Sequence, residues 1–275
     1  PICSPVRGRR QQALHVVGDP ALASARQAIV VGHDAGGERL DQAKIGGAED
    51  PNYAADLGFT INEASVGRMN NGEWVAVFGN GYRSPNNRAV LYVVRLSDGA
   101  LLRKFDTGAG SAGSPNGLGT PTLVDRNGDQ IIDYAYAGDQ LGNVWKFDLT
   151  SNSASSWSIA FGGLPLFQAR SAGGVAQPIS VRIRTARTPA SATSVTSGRM
   201  RVFGTGRMWA VGDNLSTASQ TFYGLLDDDN ATSPISGRSV LQAQSITTSG
   251  SLRTLSNNTV NWSTALPLAQ GITFG

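Results

Sequence analysis

Apolar residues in this chain fall in short runs that end in glycine, not in stripes at helical spacing. Four such runs recur: Ala28-Ile29-Val30-Val31-Gly32, Val75-Ala76-Val77-Phe78-Gly79, Tyr134-Ala135-Tyr136-Ala137-Gly138 and Met200-Arg201-Val202-Phe203-Gly204. Runs this short, bounded by turn residues, read as buried strands. The second is followed by the turn Gly79-Asn80-Gly81, the alternating strand Ala89–Leu96, the turn Ser97-Asp98-Gly99 and the strand Ala100–Phe105. The third repeats the theme, with Gly138-Asp139 leading to Gly142-Asn143-Val144-Trp145-Lys146-Phe147-Asp148-Leu149. Strand, glycine turn, strand, Asp-Gly turn, strand is a meander of antiparallel hairpins. Units of roughly 40–50 residues with four strands each are propeller blades. The expected fold is therefore all-β, a β-propeller, with a β-sandwich carrying irregular loops as the competing architecture. The polar stretch Ala186–Ser197 is expected to be an excursion between strands.

Composition agrees with this pattern. The 275 residues suffice for one large all-β domain, and 34 glycines and 12 prolines supply its turns. Charged residues make up 16% of the chain, against roughly 25% in an ordinary soluble domain. The net charge is +3, lysine occurs only at Lys44, Lys104 and Lys146, and the arginines are scattered. Scattered cations argue against a nucleic-acid groove, which gathers them on one face. A single cysteine, Cys3, rules out a disulfide within the chain. That fits a reducing compartment or an exported protein that uses a metal as its staple. No apolar stretch approaches the roughly 18 residues of a membrane span, so no membrane insertion is expected. The chain begins at Pro1 without a signal-peptide core and is expected to be a piece of a longer protein, with any export signal upstream.

The strongest chemical signal is Asp125-Arg126-Asn127-Gly128-Asp129-Gln130-Ile131-Ile132-Asp133. Asp125, Asn127, Asp129 and Asp133 place oxygen side chains at positions 1, 3, 5 and 9, and Ile131 can offer a backbone carbonyl at position 7. Calcium takes roughly six to eight oxygen ligands, and alternating Asp and Asn in a tight loop aim several at one centre. Three aspartates this close repel one another without a cation between them. Position 12 is Tyr136, so the bidentate glutamate of an EF-hand is missing, and the flanks have strand composition. The expected site is a Ca²⁺ loop on a β scaffold, with an Asx-rich turn that needs no metal as the plainer reading.

Several segments together resemble the C-terminal β-propeller of the PilY family, the type IV pilus tip-associated adhesin and biogenesis proteins. They are Ala55–Thr60, Gly72–Tyr82, the metal loop with Tyr134–Leu149 behind it, Pro165-Leu166-Phe167, Ala176–Ile179, Val202–Arg207 and Gln220–Asp227. The resemblance implies quinoprotein-like blades of four antiparallel strands, in a closed or incomplete ring. It is good over about 53–230 and weaker over 14–37 and 239–264, and it places the blades at 53–264, with 1–52 as a poorly matching N-terminal segment and 265–275 as an irregular tail. Two departures stand out: the charged Glu38–Lys44 where a strand is expected, and an end at Gly275 without a closing strand. Asp125, Asn127, Asp129, Ile131 and Asp133 correspond to the family's calcium ligands.

What the resemblance implies about function is a calcium-binding protein exported to the periplasm, outer membrane surface or pilus. It would work with pilins or minor pilins and the assembly machinery, support assembly, oppose retraction, and contribute to twitching motility and adhesion to a host or other surface. Two other classes compete. Gly138–Trp145 also resembles the blade repeat of quinoprotein dehydrogenases, which hold pyrroloquinoline quinone, but the chain lacks their vicinal cysteines. Trp145 reads as a packing residue. His15 and His33 do not form a catalytic pair, and no Gly-x-Ser-x-Gly elbow, P-loop or Cys-x-x-Cys is present, so no enzyme activity is expected. The third class is an integrin-like surface-binding propeller in which calcium is purely structural. It has no Arg-Gly-Asp ligand motif to support it, and Tyr82–Arg88 reads as a solvated hairpin tip.

Overall fold

The computed structural model describes residues 55–60, 62–187, 199–208, 212–229 and 231–250, with Tyr53 and the strands at 14–16, 28–33, 39–45, 252–255 and 271–274. Its first strands are β1 (Leu14–Val16), β2 (Ala28–His33), β3 (Arg39–Ile45), β4 (Ser65–Met69), β5 (Trp74–Gly79), β6 (Val90–Arg95) and β7 (Leu101–Asp106). There follow β8 (Thr122–Val124), β9 (Ile131–Ile132), β10 (Tyr134–Gly138), β11 (Asn143–Asp148), β12 (Ser158–Ile159) and β13 (Phe167–Gln168). The remainder are β14 (Arg184–Arg187), β15 (Arg199–Gly204), β16 (Phe222–Asp227), β17 (Gln242–Gln244), β18 (Ile246–Ser249), β19 (Leu252–Leu255) and β20 (Gly271–Phe274).

These strands form successive sheets in the orders β1-β2-β3, β7-β6-β5-β4-β9, β12-β11-β10-β8 and β14-β15-β16-β20-β17, with a separate β18–β19 hairpin. All four glycine-ended runs lie on strands. The expected four-stranded meander is present as β4–β7, but β9, from the following unit, adds a fifth strand in parallel, Arg68 opposite Ile131 and Met69 opposite Ile132. In the next sheet the outer strand is split. β12 pairs with Phe147 and Asp148, and β13 with Asn143 and Val144.

Two expectations about the ends are corrected. Arg39–Ile45 is a strand despite its charges, pairing with β2 along its length. It lies at the edge of its sheet, where charged side chains are tolerated and hinder unwanted pairing. The segment 265–275 is not wholly irregular. Gly271–Phe274 forms β20, antiparallel to β16 and parallel to β17. Cys3 and residues 188–198 lie outside the described residues, and so do the side chains of His15 and His33.

The core explains why the central strands read as unbroken apolar runs. Alternate residues of a strand face opposite sides of its sheet, and here both sides are covered. On β5, Val75 and Val77 join Ala135, Ala137, Trp145 and Phe147 in one cluster, while Ala76 and Phe78 pack with Tyr53, Leu57 and Tyr92 in another. On β10 the alanines face the first cluster, and Tyr134 and Tyr136 face Phe167, Phe203 and Tyr223. Stacking sheets face on face in this way buries both alternate sets of positions along β5 and β10.

Two of the terminal glycines, Gly79 and Gly138, have a packing reason. Backbone bonds link the turns of neighbouring sheets: Gly58 N to Asn80 O, Gly81 N to Leu118 O, Gly119 N to Gly138 O, Ile179 N to Asp139 O and Gly206 N to Pro178 O, at 2.7–3.1 Å. A Cβ on Gly79 would stand 2.3 Å from the Gly119 carbonyl oxygen, so only glycine permits this backbone approach.

Candidate metal centre

Three sheets meet at the 125–133 loop. It leaves the end of β8, which pairs with β10 in the third sheet, and returns through β9, which belongs to the second. The Asp133 amide donates to the Val124 carbonyl at 2.9 Å, closing the loop at its base. From the fourth sheet, Arg199 Nη2 donates to the Arg126 carbonyl at 2.9 Å. Arg126 Nε lies 3.1 Å from Oδ2 of Asp229, just beyond β16.

Within the loop the side chains wrap the backbone. Asp125 accepts the Gly128 amide on Oδ1 at 2.6 Å and the Gln130 amide on Oδ2 at 2.7 Å. Asn127 Oδ1 accepts the Asp129 amide at 3.0 Å, and Asp129 Oδ1 accepts the Ile131 amide at 2.8 Å. Asp133 Oδ2 accepts the Arg126 amide across the loop at 2.8 Å. Gly128 and Gln130 take left-handed φ values of 88° and 69°. Glycine takes this conformation without steric cost, whereas Gln130 is one of few non-glycine residues described with positive φ.

All five expected residues thus lie on one short loop, with Ile131 held at the start of β9 by its pairing to β4. The carboxylates are turned to the loop's own amides. Among the described residues no three His, Cys, Asp or Glu side chains form a ready-made metal cluster. The donor chemistry still suits a hard cation. The loop offers only oxygen, and a carboxylate oxygen that accepts one hydrogen bond keeps a second lone pair for a ligand bond. Burial raises the Asp133 carboxyl above the ordinary aspartate range; the Arg126 amide opposes this, while the neighbouring Asp129 and Asp125 charges add to it. Like charges close enough to feel one another are what a dication would neutralise.

Two buried polar centres escaped the sequence reading. In the Gly138-Asp139 turn, Asp139 is fully buried and accepts five hydrogen bonds. Oδ1 takes the Leu141 and Asn143 amides, and Oδ2 takes Asn116 Nδ2, Asn143 Nδ2 and Trp145 Nε1, all at 2.8–2.9 Å. Burial raises its pKa against the opposing pull of the Asn116, Asn143 and Trp145 donors. Trp145, 2% exposed, is the packing residue expected of it. Between the third and fourth sheets, Asp227 accepts Lys146 Nζ at 3.0 Å, Arg201 Nη2 at 3.0 Å and the Tyr136 hydroxyl at 2.5 Å. The Arg201 guanidinium stacks 3.9 Å from the Tyr136 ring centre, and Lys146 sits 4.5 Å from that of Tyr134. Burial, reinforced by Asp227, pushes the Tyr136 phenol well above its ordinary range. The available signal was a charge inside an apolar strand, as at Arg201 in Met200–Gly204.

Sheets stacked in series, the third packed on the second by one face and on the fourth by the other, are the blade arrangement of a β-propeller and not of a two-sheet sandwich. Residues 38–259 match the family described as the PilY1 beta-propeller domain, and the chain belongs to that family. It is 35% identical over 251 residues to the type IV pilus biogenesis factor PilY1 of Pseudomonas aeruginosa PAO1, covering 80% of this chain and 21% of that protein. A PilY1 homolog of Xylella fastidiosa is 38% identical over 204 residues, 70% of this chain and 13% of its own length. The crystal structure of the P. aeruginosa PilY1 C-terminal domain superposes with a TM-score of 0.77 at 30% identity, covering 97% of this chain and 62% of that one. The chain therefore spans about a fifth of the Pseudomonas relative and less than two thirds of the solved domain. Among the described residues no helix is long and apolar enough to cross a membrane.

Proposed function

We propose that this chain is the propeller portion of a type IV pilus biogenesis factor, acting without catalysis and binding one Ca²⁺ at Asp125, Asn127, Asp129, Asp133 and the Ile131 carbonyl. It works exported, in the periplasm, at the outer membrane surface or on the pilus, with pilins or minor pilins and the assembly machinery as partners. Support of assembly, resistance to retraction, twitching motility and surface adhesion follow from that setting. Family membership and the names of the relatives support the pilus assignment. The observation that carries the calcium reading is the all-oxygen Asx loop, because its two ends belong to one sheet and its β9 to another. Bound calcium would neutralise the carboxylates, and the loop would then hold three sheets in one relative arrangement.

Calorimetry with CaCl₂ should find one site per chain in the wild type and none in Asp125→Ala or Asp133→Ala. Undiminished binding by both variants would sink the assignment. A ligand held only by the folded state stabilises it by about 2.7 kcal/mol at a hundredfold excess over Kd, so melting should rise between chelator and excess Ca²⁺ in the wild type alone. The pH dependence has a definite sign. A protonated carboxyl cannot ligate, and Asp133 binds its proton at higher pH than an ordinary aspartate. Affinity should therefore fall on acidification through that raised pKa, before an unperturbed carboxylate would titrate, while the same protonation relieves repulsion in the metal-free loop.

A further inference from the structure

One residue of the metal loop has the wrong charge for its place. Arg126 lies between Asp125 and Asn127, so the site carries its own guanidinium. Its backbone has little freedom. The amide is held by Asp133 Oδ2 at 2.8 Å and the carbonyl by Arg199 Nη2 at 2.9 Å. The side chain alone can choose a direction, and it points to Asp229, with Nε 3.1 Å from Oδ2. Asp229 is not part of the loop. It comes from the segment after β16, its side chain is only 7% exposed, and Arg126 is the cation facing it, 42% exposed.

Two carboxylate destinations therefore compete for Arg126. Those of the loop include Asp133, whose carboxyl already feels the Arg126 charge. A guanidinium turned inward would pair with the oxygens that ligate calcium and would repel the incoming dication. Turned outward onto Asp229, it leaves them free.

Building on the calcium reading above, we propose that Asp229 is a positioning residue for the metal loop, holding the Arg126 guanidinium away from the ligand carboxylates so that it does not act as a built-in competitor of Ca²⁺. The effect is electrostatic and crosses a sheet boundary. Under water-like screening a unit charge about 6 Å from a dication weakens binding by about tenfold relative to one far away, and because Arg126 already acts on Asp133 from its outward position, turning it inward weakens binding by about two- to threefold.

Ca²⁺ titration by calorimetry of the wild type, Asp229→Asn, Asp229→Glu and the double variant Arg126→Ala/Asp229→Asn tests this. Asp229→Asn should bind about two- to threefold more weakly, Asp229→Glu should stay near wild type, and the double variant should recover wild-type affinity because the competitor has gone. The deficit of Asp229→Asn should also shrink in high salt, which screens a partly exposed charge and would leave a packing defect unchanged. Wild-type affinity in Asp229→Asn, or a deficit that persists in the double variant, overturns the positioning role while leaving the calcium site standing. Absence of Ca²⁺ uptake by the wild type overturns the site itself, and this role with it.

Discussion

Asp227→Ala should lower the stability of the folded chain by about 3–5 kcal/mol, the cost typical of breaking a buried ion pair from one side. The reason is the inequality of the cluster. Asp227 is the carboxylate that both Lys146 and Arg201 bond, and the side chains of the two cations are 5% and 1% exposed. Removing it leaves two cations, and the Tyr136 hydroxyl, without their shared acceptor. The phenol oxygen already accepts Arg201 Nη2 at 2.8 Å, but it is neutral and cannot replace the carboxylate charge that balances the two cations. A quadruple variant separates loss of pairing from loss of volume. Tyr136→Phe, Lys146→Met, Arg201→Met and Asp227→Leu together remove every polar member while keeping bulk between the sheets. Urea unfolding should place this variant within about 1–2 kcal/mol of the wild type, since an apolar replacement of a whole buried ion cluster is often close to neutral. If Asp227→Ala were as stable as the wild type, the cluster would not hold the two sheets together.

Asp139 should be almost as sensitive, and the isosteric change should fail as well. Each of its oxygens faces donors only: two backbone amides on Oδ1 and three side-chain N–H groups on Oδ2. Asparagine must place its own NH₂ against one of these sets, so Asp139→Asn turns hydrogen bonds into donor–donor repulsion. Asp139→Ala leaves all five donors unmet, and a loss of about 4 kcal/mol is expected, given about 1–3 kcal/mol for a single orphaned buried group and partial relief by water. Trp145 fluorescence would report the local loss directly, because its indole N–H is one of the five. A drop under about 1 kcal/mol in Asp139→Ala would show that water satisfies the turn equally well.

The parts of the fold that were legible are those in which local pattern and burial agree. β5 and β10 are apolar on both faces because both faces are covered, and each ends in a glycine against which a neighbour packs, the Gly119 backbone at Gly79 and the Ile179 side chain at Gly138. β3 was not legible, since an edge strand can carry Arg39, Asp41 and Lys44 and so lose its apolar signature. β9 and β20 are too short for a period to show, and both are strands because of partners distant in sequence. The metal loop divides along the same line. The alternation of Asp125, Asn127, Asp129 and Asp133 is local and could be read directly, and its Asx turns are as the spacing demands. Arg199 and Asp229 come from another sheet, and no spacing rule links them to residue 126. Asp139 was hidden in a Gly-Asp-Gln turn that looks solvent-facing until the side chains of Asn116 and Trp145 are seen to converge on it.

The parallel strand β9 sets a timetable for synthesis. The β4 edge of the second sheet is completed by Ile131 and Ile132, yet those residues follow the whole of β5–β8 in the chain. During elongation from the N-terminus, β4–β7 can pair as soon as residue 106 is free, while β4 keeps an open flank until residue 132 emerges. An uncovered strand flank is a template for the wrong partner, whether another nascent chain or a neighbouring repeat. A gene fusion or truncation placed in the polar stretch between β7 and β8 would make that interval permanent, although the stretch looks like a boundary between units. No cut between β7 and β10 is clean, because β8 pairs forward with β10 while β9 pairs back with β4, so the two units share this stretch of chain.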